Sequence, residues 1–307
     1  MTDFRSGFVA IVGRPNVGKS TLVNALVGSK VAITSPHPNT TRRAIRGIVN
    51  TPEFQAILVD TPGIHKPKTL LGSRLNSIAG QSLDSVDAIV ICLPADEPSR
   101  AGDDFIIQEI SKYPKAKKFA VITKTDLVGK ADLAVRLTGI VTLAKDFTWD
   151  EIIPVSAEIH EQIELLKELL GRVLPSGPKF YPDSMVSDQD SEQWICELIR
   201  EAALLDLREE LPHSITVTID EMSERTDKRR KRFYDIHATI HVERDTQRAI
   251  LLGHKGERLK DIGTRARLEV ERILDAQIYL GLHIKVSKNW QRDTKLLEKL
   301  GFGEGSR

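Results

Sequence analysis

Cysteine is scarce in this sequence. Its 307 residues include two cysteines, Cys92 and Cys196, which lie far apart and lack the spacing of metal ligands. A disulfide framework and a cysteine-based zinc site are therefore excluded. We expect both thiols to stay reduced, as in a cytosolic protein.

Long apolar runs are also missing. No stretch approaches the roughly 20 apolar residues that span a bilayer, and the run Ala88–Leu93 already ends at Pro94. The N-terminus does not have the architecture of a signal peptide, because its first apolar run is broken by Gly13 and Arg14. We therefore expect a soluble chain. Loose attachment to a membrane surface is compatible with this expectation.

The whole chain has almost no excess of one charge, but two of its segments do. The formal net charge is +1. Residues 225–307 hold 20 Lys and Arg against 12 Asp and Glu, a net charge of +8, whereas residues 178–224 hold 3 against 12, a net charge of −9. Such asymmetry indicates contact with nucleic acid or an anionic surface, although two oppositely charged solvated faces would give the same counts.

Length and element order predict two domains. Residues 1–174 alternate short apolar runs with amphipathic helical patterns. This order predicts an α/β domain with a mostly parallel six-stranded sheet and helices on both faces. Residues 175–190 open with Pro175-Ser176-Gly177-Pro178 and are typical of a linker. Residues 191–307 follow the order helix, strand, strand, helix, helix, strand, which predicts a separate α+β domain whose first strand covers Ile215–Ile219.

A phosphate-binding loop follows the first predicted strand. The sequence GRPNVGKS fits the pattern G-x-x-x-x-G-K-[ST], and an amphipathic helix begins at Ser20. In such loops backbone N–H groups surround phosphate oxygens at the positive end of the helix dipole. Lys19 is expected to contact the β- and γ-phosphates and Ser20 to bind Mg²⁺. The predicted nucleotide contacts of this segment are Gly13, Arg14, Pro15, Asn16, Val17, Gly18, Lys19, Ser20 and Thr21.

Two further segments predict guanine rather than adenine. Thr123-Lys124-Thr125-Asp126 ends an apolar strand, where the Asp126 carboxylate can accept hydrogen bonds from the ring N–H and the exocyclic amine of guanine. Adenine lacks that amine and would leave the carboxylate unpaired. Ser156-Ala157 follows the last strand and can offer backbone N–H groups to the guanine carbonyl. Because each segment follows a strand, both belong at the same sheet edge as the phosphate-binding loop.

Residues for magnesium binding and hydrolysis are predicted in two other loops. Asp60-Thr61-Pro62-Gly63 ends a strand, where Asp60 can hold Mg²⁺ through a water and the Gly63 N–H can face the γ-phosphate. Thr40 and Thr41 both lie in a polar loop that can order around the metal. Thr41 is favoured because Arg42 and a strand follow it directly, and Thr40 is the alternative.

The residue after Gly63 is Ile64, at a position where Ras-like proteins carry a water-orienting glutamine. An apolar side chain cannot orient water, so we expect catalysis by positioning and electrostatics from Lys19, Thr41 and Gly63. Slow intrinsic hydrolysis is predicted, raised by a monovalent cation near Asn16 or by a partner.

A second glycine motif lies in the basic C-terminal domain. Gly253-His254-Lys255-Gly256 stands between two predicted helices and matches the K-homology clamp on single-stranded RNA, although a generic helix–turn–helix corner gives the same pattern. The basic run 225–232 is either a solvated hairpin tip or a contact for phosphate or an anionic membrane. Trp290 is assigned to packing. The predicted RNA contacts are Gly253, His254, Lys255, Gly256, Arg258, Lys260, Lys285 and Lys288.

Together these motifs resemble the Era family of bacterial GTPases over nearly the full chain. The residues that carry the resemblance are GRPNVGKS at 13–20, NTTR at 39–42, DTPGIHKPK at 60–68, PVSA at 154–157 and GHKGERLKDIG at 253–263. The resemblance implies a P-loop GTPase domain followed by a type II K-homology domain. It also implies a role in assembly of the small ribosomal subunit, with the 3′ end of its rRNA bound under control of the nucleotide state. It further implies Mg²⁺, potassium at Asn16, and a cytoplasmic protein with some peripheral membrane association; we expect a monomer.

One residue departs from the family pattern. The base-reading motif usually begins with Asn, and here it begins with Thr123. The missing amide would normally tie this segment to the P-loop and contact the base. The departure therefore predicts a lost tie and weaker nucleotide affinity, with the choice of guanine unchanged because Asp126 is present.

Three other functions fit parts of the sequence. They are a GTPase of another class, such as a ferrous-iron transporter or tRNA-modifying G domain, an RNA-binding protein that uses GTP only structurally, and a P-loop kinase. The lack of membrane spans argues against the transporter, and the glycine motif between two helices argues against both other GTPases. Asp126 and Ser156-Ala157 disfavour the kinase.

Overall fold

The computed structural model describes residues 4–35, 37, 40–63, 69–205, 207, 214–226 and 232–302. By its internal contacts the chain divides into two compact units. The first comprises Met1–Pro67 and Leu75–Asp188, and the second comprises Lys68–Arg74 and Gln189–Arg307.

A six-stranded sheet forms the centre of the first unit. Its strands are ordered β2-β3-β1-β4-β5-β6, with β2 antiparallel to β3 and every other neighbouring pair parallel. The strands are β1 (Arg5–Val12), β2 (Ile45–Asn50), β3 (Phe54–Asp60), β4 (Ala88–Pro94), β5 (Lys117–Thr123) and β6 (Glu151–Pro154). The carboxyl ends of the parallel strands therefore share one edge, where ligands bind in open α/β sheets.

Helices cover both faces of this sheet. They are α1 (Lys19–Val27), α2 (Leu70–Gln81, which belongs to this unit from Leu75 onward), α3 (Ala101–Ser111), α4 (Lys130–Val141) and α5 (Ile163–Val173). One core layer includes Leu22 of α1 and Leu166 of α5, and the other includes Ile106 of α3 and Ile140 of α4. Every residue of β4 is buried, as expected for a strand covered on both faces. The predicted α/β fold is confirmed.

Residues 175–188, which the sequence assigns to a linker, pack along the open edge of this sheet. The backbone N–H of Ile48 in β2 donates to the carbonyl of Val186 at 2.8 Å. Gln55 is fully buried, and its Nε2 donates to the carbonyl of Tyr181 at 2.8 Å. The segment thereby covers a strand edge whose backbone groups would otherwise be exposed and open to non-native pairing.

The second unit has the predicted order of helices and strands, followed by one further short helix. Its elements are α6 (Ser191–Leu204), β7 (Thr216–Thr226), β8 (Arg232–Val242), α7 (Asp245–Leu252), α8 (Glu257–Leu274), β9 (Gln277–Val286) and α9 (Thr294–Lys299). The sheet order is β7-β8-β9, with β7 antiparallel and β9 parallel to β8. The parallel pair requires a crossover, which α7 and α8 provide.

Two elements differ from the predicted ones. Strand β7 extends to Thr226, well beyond the predicted end at Ile219, because a bulge between Ile219 and Glu221 shifts the alternation on which the prediction rests. Helix α9 was not predicted, since six residues are too few to show a helical period. Trp290 packs as predicted: it is fully buried, and its indole N–H donates to the Ser214 carbonyl at 3.0 Å.

Within the described ranges, no helix combines the length and the hydropathy needed to cross a membrane. Neither cysteine forms a disulfide within the described residues. Burial raises the pKa of Cys92 to about 12, so this thiol is inert and structural.

Candidate functional site

The P-loop connects β1 to α1 at the carboxyl edge of the first sheet. Asn16 and Gly18 have φ angles of 65° and 91°, and such positive φ angles help successive N–H groups to form an anion-binding concavity. Lys19 is buried, and its Nζ donates to the carbonyls of Gly13 at 3.1 Å and Arg14 at 2.8 Å. Burial lowers the pKa of Lys19, an effect that the carboxylate of Asp60 opposes. The ammonium group therefore lies within the loop.

Three oxygen-bearing side chains meet beside this lysine. Ser20 Oγ donates to Asp60 Oδ2 at 2.7 Å and lies 2.9 Å from Thr41 Oγ1, which is itself 3.2 Å from Asp60 Oδ2. Asp60 is fully buried, and its Oδ1 has no hydrogen-bond partner among the described residues. Burial raises the pKa of Asp60, which Lys19 and the two hydroxyl donors counteract. A set of hard oxygen donors with an unpartnered carboxylate oxygen fits Mg²⁺.

Of the two candidate threonines, only Thr41 joins this cluster. The Thr40 hydroxyl instead donates to the carbonyl of His37 at 2.7 Å, as a turn residue does. The geometry therefore supports Thr41 over Thr40, and its role as a magnesium ligand stays a prediction.

The loop after β3 lies directly against the P-loop. A Cβ on Gly63 would lie 2.9 Å from the backbone nitrogen of Pro15, so only glycine fits at this approach. Thr61 Oγ1 donates to the carbonyl of Ile11 in β1 at 2.8 Å, which fixes the start of the loop, and Pro62 stands between the two. Ile64 lies outside the described residues.

Arg14 does not extend toward the phosphate position. Its Nε donates to Asp103 Oδ1 at 2.8 Å and its Nη2 to Glu97 Oε2 at 3.2 Å. Burial lowers the pKa of Arg14, but Asp103 and then Glu97 more than offset this, so the pKa is raised. The guanidinium braces the P-loop against α3, and a nucleotide contact of Arg14 would come from its backbone.

Sequence reasoning did not find Asp103 as a site residue. Asp103 is fully buried, and its Oδ2 also accepts a hydrogen bond from the backbone N–H of Arg100 at 2.9 Å. An acidic residue in the first turn of a helix is a recognisable capping signal. Its pairing with Arg14, 89 residues away, is not.

The base-reading segment is tied to the P-loop after all. Thr123 Oγ1 donates to the carbonyl of Val17 at 2.6 Å, and both residues are buried. The expectation that the tie is lost is therefore wrong, because the hydroxyl supplies the donor that an amide was expected to supply.

Asp126 lies beside Ser156, as the order of the segments predicts. Ser156 Oγ donates to Asp126 Oδ1 at 2.5 Å, while Asp126 itself is exposed. Lys124 has a φ angle of 61°, and its Nζ lies 3.6 Å from Asp96 Oδ2. The backbone N–H of Ser156 donates to the Glu161 carbonyl at 3.2 Å, so of the two N–H groups predicted to meet the guanine carbonyl only that of Ala157, a partly buried residue, keeps this role as a prediction. The carboxylate expected to read guanine is thus held at one oxygen and open to a ligand.

The glycine motif of the second unit forms a tight turn between α7 and α8. Gly253 ends α7 with φ 69° and ψ −175°, and a Cβ there would lie 2.7 Å from Arg258 Cβ. Gly256 precedes α8 with a φ angle of 82°. His254 and Lys255 between them are exposed. The turn therefore presents two basic side chains at the N-terminus of an 18-residue helix.

The other predicted RNA contacts divide between two faces. Arg258 and Lys260 lie in the first turns of α8, directly after the glycine motif. Leu282 of β9 packs toward α8, and alternation along the strand then places Lys285 on the opposite face of the sheet. The structure therefore does not group Lys285 with the turn. Lys288 is exposed beyond the end of β9.

The ends of the basic run 225–232 are paired across the hairpin. Arg225 lies 2.6 Å from Asp235, and Arg232 lies 3.0 Å from Glu224. Residues 227–231 lie outside the described residues, so a phosphate or membrane contact of this run stays a prediction.

Comparisons with known proteins match both parts of the chain. The family model of the 50S ribosome-binding GTPase matches residues 8–124, and that of the KH domain matches residues 210–291. The GTPase Era of Nocardioides sp. is 52% identical over 301 residues, which cover 97% of this chain and 96% of the relative. This chain belongs to the Era family of GTPases. The GTPase Era of Streptomyces coelicolor is 50% identical, over 98% of this chain and 96% of its own length.

Solved Era structures share the fold over the same length. A crystal structure of Era in complex with MgGDPNP and nucleotides 1506–1542 of 16S ribosomal RNA is 38% identical, with a TM-score of 0.92, and covers 98% of this chain and 100% of its own. A variant of Aquifex aeolicus Era bound to GDP and AlF4⁻ is 36% identical over the same shares, with a TM-score of 0.91. The predicted fold class of both domains is confirmed.

Proposed function

We propose that this member of the Era family binds GTP and hydrolyses it to GDP and phosphate, and that it binds RNA as an assembly factor of the small ribosomal subunit. The bound RNA is the 3′ end of the small-subunit rRNA, and the nucleotide state controls its engagement. One observation carries the GTPase part: the buried cluster of Ser20, Thr41 and Asp60 lies beside Lys19 at the sheet edge that also holds Asp126.

The side chains at this edge have distinct roles. Ser20, Thr41 and Asp60 would hold Mg²⁺, which when bound neutralises phosphate charge. Lys19 contacts the β- and γ-phosphates, and Gly63 brings its backbone N–H toward the γ-phosphate. Because Ile64 stands where Ras-like proteins carry a water-orienting glutamine, hydrolysis without a cation or a partner is slow.

The RNA part is supported by the glycine turn and by a relative. Gly253 and Gly256 allow the backbone to approach RNA closely, and Lys255 adds a positive charge. The Era structure with MgGDPNP and 16S rRNA nucleotides, from a relative 38% identical to this chain, holds both ligands in one complex. Arg258 and Lys260 extend the same site along α8, and Lys285 and Lys288 remain predicted contacts outside it.

A potassium site at Asn16 belongs to the same proposal. Asn16 lies in the P-loop with a left-handed backbone, and its amide oxygen is a suitable hard donor for the ion. We expect potassium to raise turnover over sodium in the native chain. Potassium-stimulated turnover that persists unchanged in Asn16→Ala would contradict this site.

We also propose a monomeric, cytoplasmic protein that attaches peripherally to the membrane. The net charge of +8 over residues 225–307 supports attachment to anionic lipid. Flotation with vesicles containing anionic lipid tests attachment, and light scattering of the purified chain tests the monomer. If the chain bound neutral vesicles as strongly as anionic ones, the attachment would not be electrostatic.

Crosslinking to cellular RNA tests the main proposal. The purified chain is loaded with GDP or a non-hydrolysable GTP analogue, crosslinked, and the RNA adducts are sequenced. We expect the 3′ end of the small-subunit rRNA to be enriched in one nucleotide state. Recovery of no ribosomal RNA in either state would contradict the assembly role.

Phosphate release tests the enzyme. We expect multiple turnovers with GTP and none with Lys19→Ala, which lacks the phosphate-binding ammonium. A native chain that binds GTP but releases no phosphate over many hours would instead be an RNA-binding protein that uses GTP structurally.

A further inference from the structure

The loop that follows Ser156 has an uncommon backbone. His160 and Gln162 have φ angles of 55° and 56°, so two non-glycine residues adopt the left-handed conformation on either side of Glu161. That conformation is unfavourable for L-residues other than glycine, although histidine tolerates it better than most. It persists where surrounding contacts determine it, and such positions cluster at functional sites.

The contacts of Glu161 hold this backbone conformation. Its Oε2 accepts a hydrogen bond from Thr125 Oγ1 at 2.9 Å, and its backbone carbonyl accepts one from the Ser156 N–H at 3.2 Å. Ser156 Oγ in turn donates to Asp126 Oδ1. Since Thr125 and Asp126 are adjacent in the chain, these bonds close a ring of four residues.

This ring fixes the base-reading carboxylate from two directions. Thr125 is buried, so its hydroxyl has a defined partner, whereas Asp126 is exposed and available to a ligand. Without the bond from Thr125 to Glu161, the segment would keep its tie at Thr123 but lose a restraint next to Asp126.

We infer that Glu161 is a positioning residue for guanine recognition, which acts through Thr125 and Ser156 on the carboxylate of Asp126. The inference rests on the proposed function of the nucleotide site. Glu161 does not touch the base; it holds the group that does. Glu161 therefore contributes to the selectivity for guanine through the position of Asp126, since hydrogen bonds weaken steeply as donor and acceptor move out of line.

The preference for GDP over inosine diphosphate measures this role. Inosine has the ring N–H of guanine but lacks the exocyclic amine, so the ratio of the two affinities reports how well Asp126 meets that amine. In Glu161→Ala we expect the GDP affinity to fall about tenfold, the effect of weakening one hydrogen bond to a charged acceptor. The affinity for inosine diphosphate falls less, so the ratio shrinks.

Two variants serve as matched controls. Glu164→Ala removes the same charge from the first turn of α5, where the carboxylate pairs with Lys167 at 2.7 Å, and keeps the native ratio. Glu161→Gln retains an oxygen acceptor for Thr125 and keeps most of the preference. A loss as large in Glu161→Gln as in Glu161→Ala would overturn the positioning account, because it would indicate a pure charge effect.

A double variant tests the ring itself. Thr125→Val removes the donor, and we expect it to lower the ratio as Glu161→Ala does, with no further loss when the two are combined. Fully additive losses would overturn the inference. Melting curves for each variant monitor folding, and a general loss of structure lowers both affinities by the same factor and leaves the ratio unchanged.

The outcomes separate this inference from the proposed function. If the native chain fails to prefer GDP over inosine diphosphate, the guanine site itself is wrong. If the native chain prefers GDP and Glu161→Ala keeps the same ratio, the site stands and the role of Glu161 is overturned.

Discussion

At the scale of single residues, Thr123 shows that a donor can matter more than the residue type that carries it. The position calls for a group that reaches the P-loop, and a hydroxyl at 2.6 Å from the Val17 carbonyl reaches it as an amide would. The replacement of the usual Asn by Thr predicted that the bond to the P-loop is lost. Residue type alone does not show that the two segments lie close enough for a hydroxyl to form this bond.

Thr123→Val removes this donor without changing the shape of the side chain. The buried Val17 carbonyl then loses its partner, and we expect a loss of about 1–3 kcal/mol in unfolding free energy together with weaker GDP binding. Chemical denaturation and GDP titration measure the two effects. Thr138→Val is the matched control, since its exposed hydroxyl donates within α4 and its loss costs less than about 0.5 kcal/mol. Equal effects of both substitutions would refute the tie.

His241 on β8 predicts a pH dependence of stability. Its Nε2 lies 3.0 Å from Thr218 Oγ1 and its Nδ1 lies 3.0 Å from Ser287 Oγ. Burial, and after it the positive charge of Lys285 on the neighbouring strand, lowers the pKa of His241 to about 4. An unfolded chain keeps a histidine pKa of about 6.5 and so binds more protons than the folded chain between these values.

This difference in proton binding sets the direction of the effect. The contribution of His241 to stability is complete above about pH 6.5 and is lost as the pH falls from there through 4. We expect His241→Gln to flatten this part of the stability profile, measured by urea unfolding at several pH values between 4 and 7. Thr138→Val, which removes an exposed hydroxyl of α4 and no titratable group, should leave the slope unchanged.

At the scale of elements, the predictable features were those that depend on local pattern. Apolar runs such as β4 and the glycine motifs at strand and helix ends follow from the residues themselves. The bonds from Arg14 to Asp103 and from Thr125 to Glu161 do not, because they join residues 89 and 36 positions apart through the packing of whole elements. Edge coverage by residues 175–188 was missed for the same reason.

The turn between α7 and α8 gives a prediction at this scale. Gly253→Ala places a Cβ 2.7 Å from Arg258 Cβ in a backbone region open almost only to glycine, so we expect a loss of about 1–3 kcal/mol. Gly256→Ala meets open space and costs about 1 kcal/mol for its positive φ alone. Denaturation of both variants and their binding to single-stranded RNA measure the difference. If Gly256→Ala lost more unfolding free energy than Gly253→Ala, the steric argument for Gly253 would be contradicted.

At the scale of the whole molecule, the net charge is close to zero, yet the nucleotide site and the basic segment belong to different units. The nucleotide groups belong to the first compact unit and the glycine turn belongs to the second, whose described part carries most of the basic segment 225–307. In a chain with this charge distribution, the basic segment 225–307 attracts phosphate backbones most strongly. Its RNA affinity should therefore depend strongly on salt, whereas recognition of guanine, which uses short-range hydrogen bonds, should depend on it weakly.

Replacing Lys255 tests that division. If its ammonium contacts one phosphate, Lys255→Ala lowers the affinity for single-stranded RNA by a similar factor for all sequences. It also reduces the slope of log affinity against log salt by about 0.7. Lys130→Ala removes the same charge from the exposed start of α4 in the first unit and should leave the slope unchanged. Filter binding over a salt series gives both slopes. Equal slopes in the native chain and Lys255→Ala would mean that this lysine contacts no phosphate, and the glycine turn would then be a structural corner.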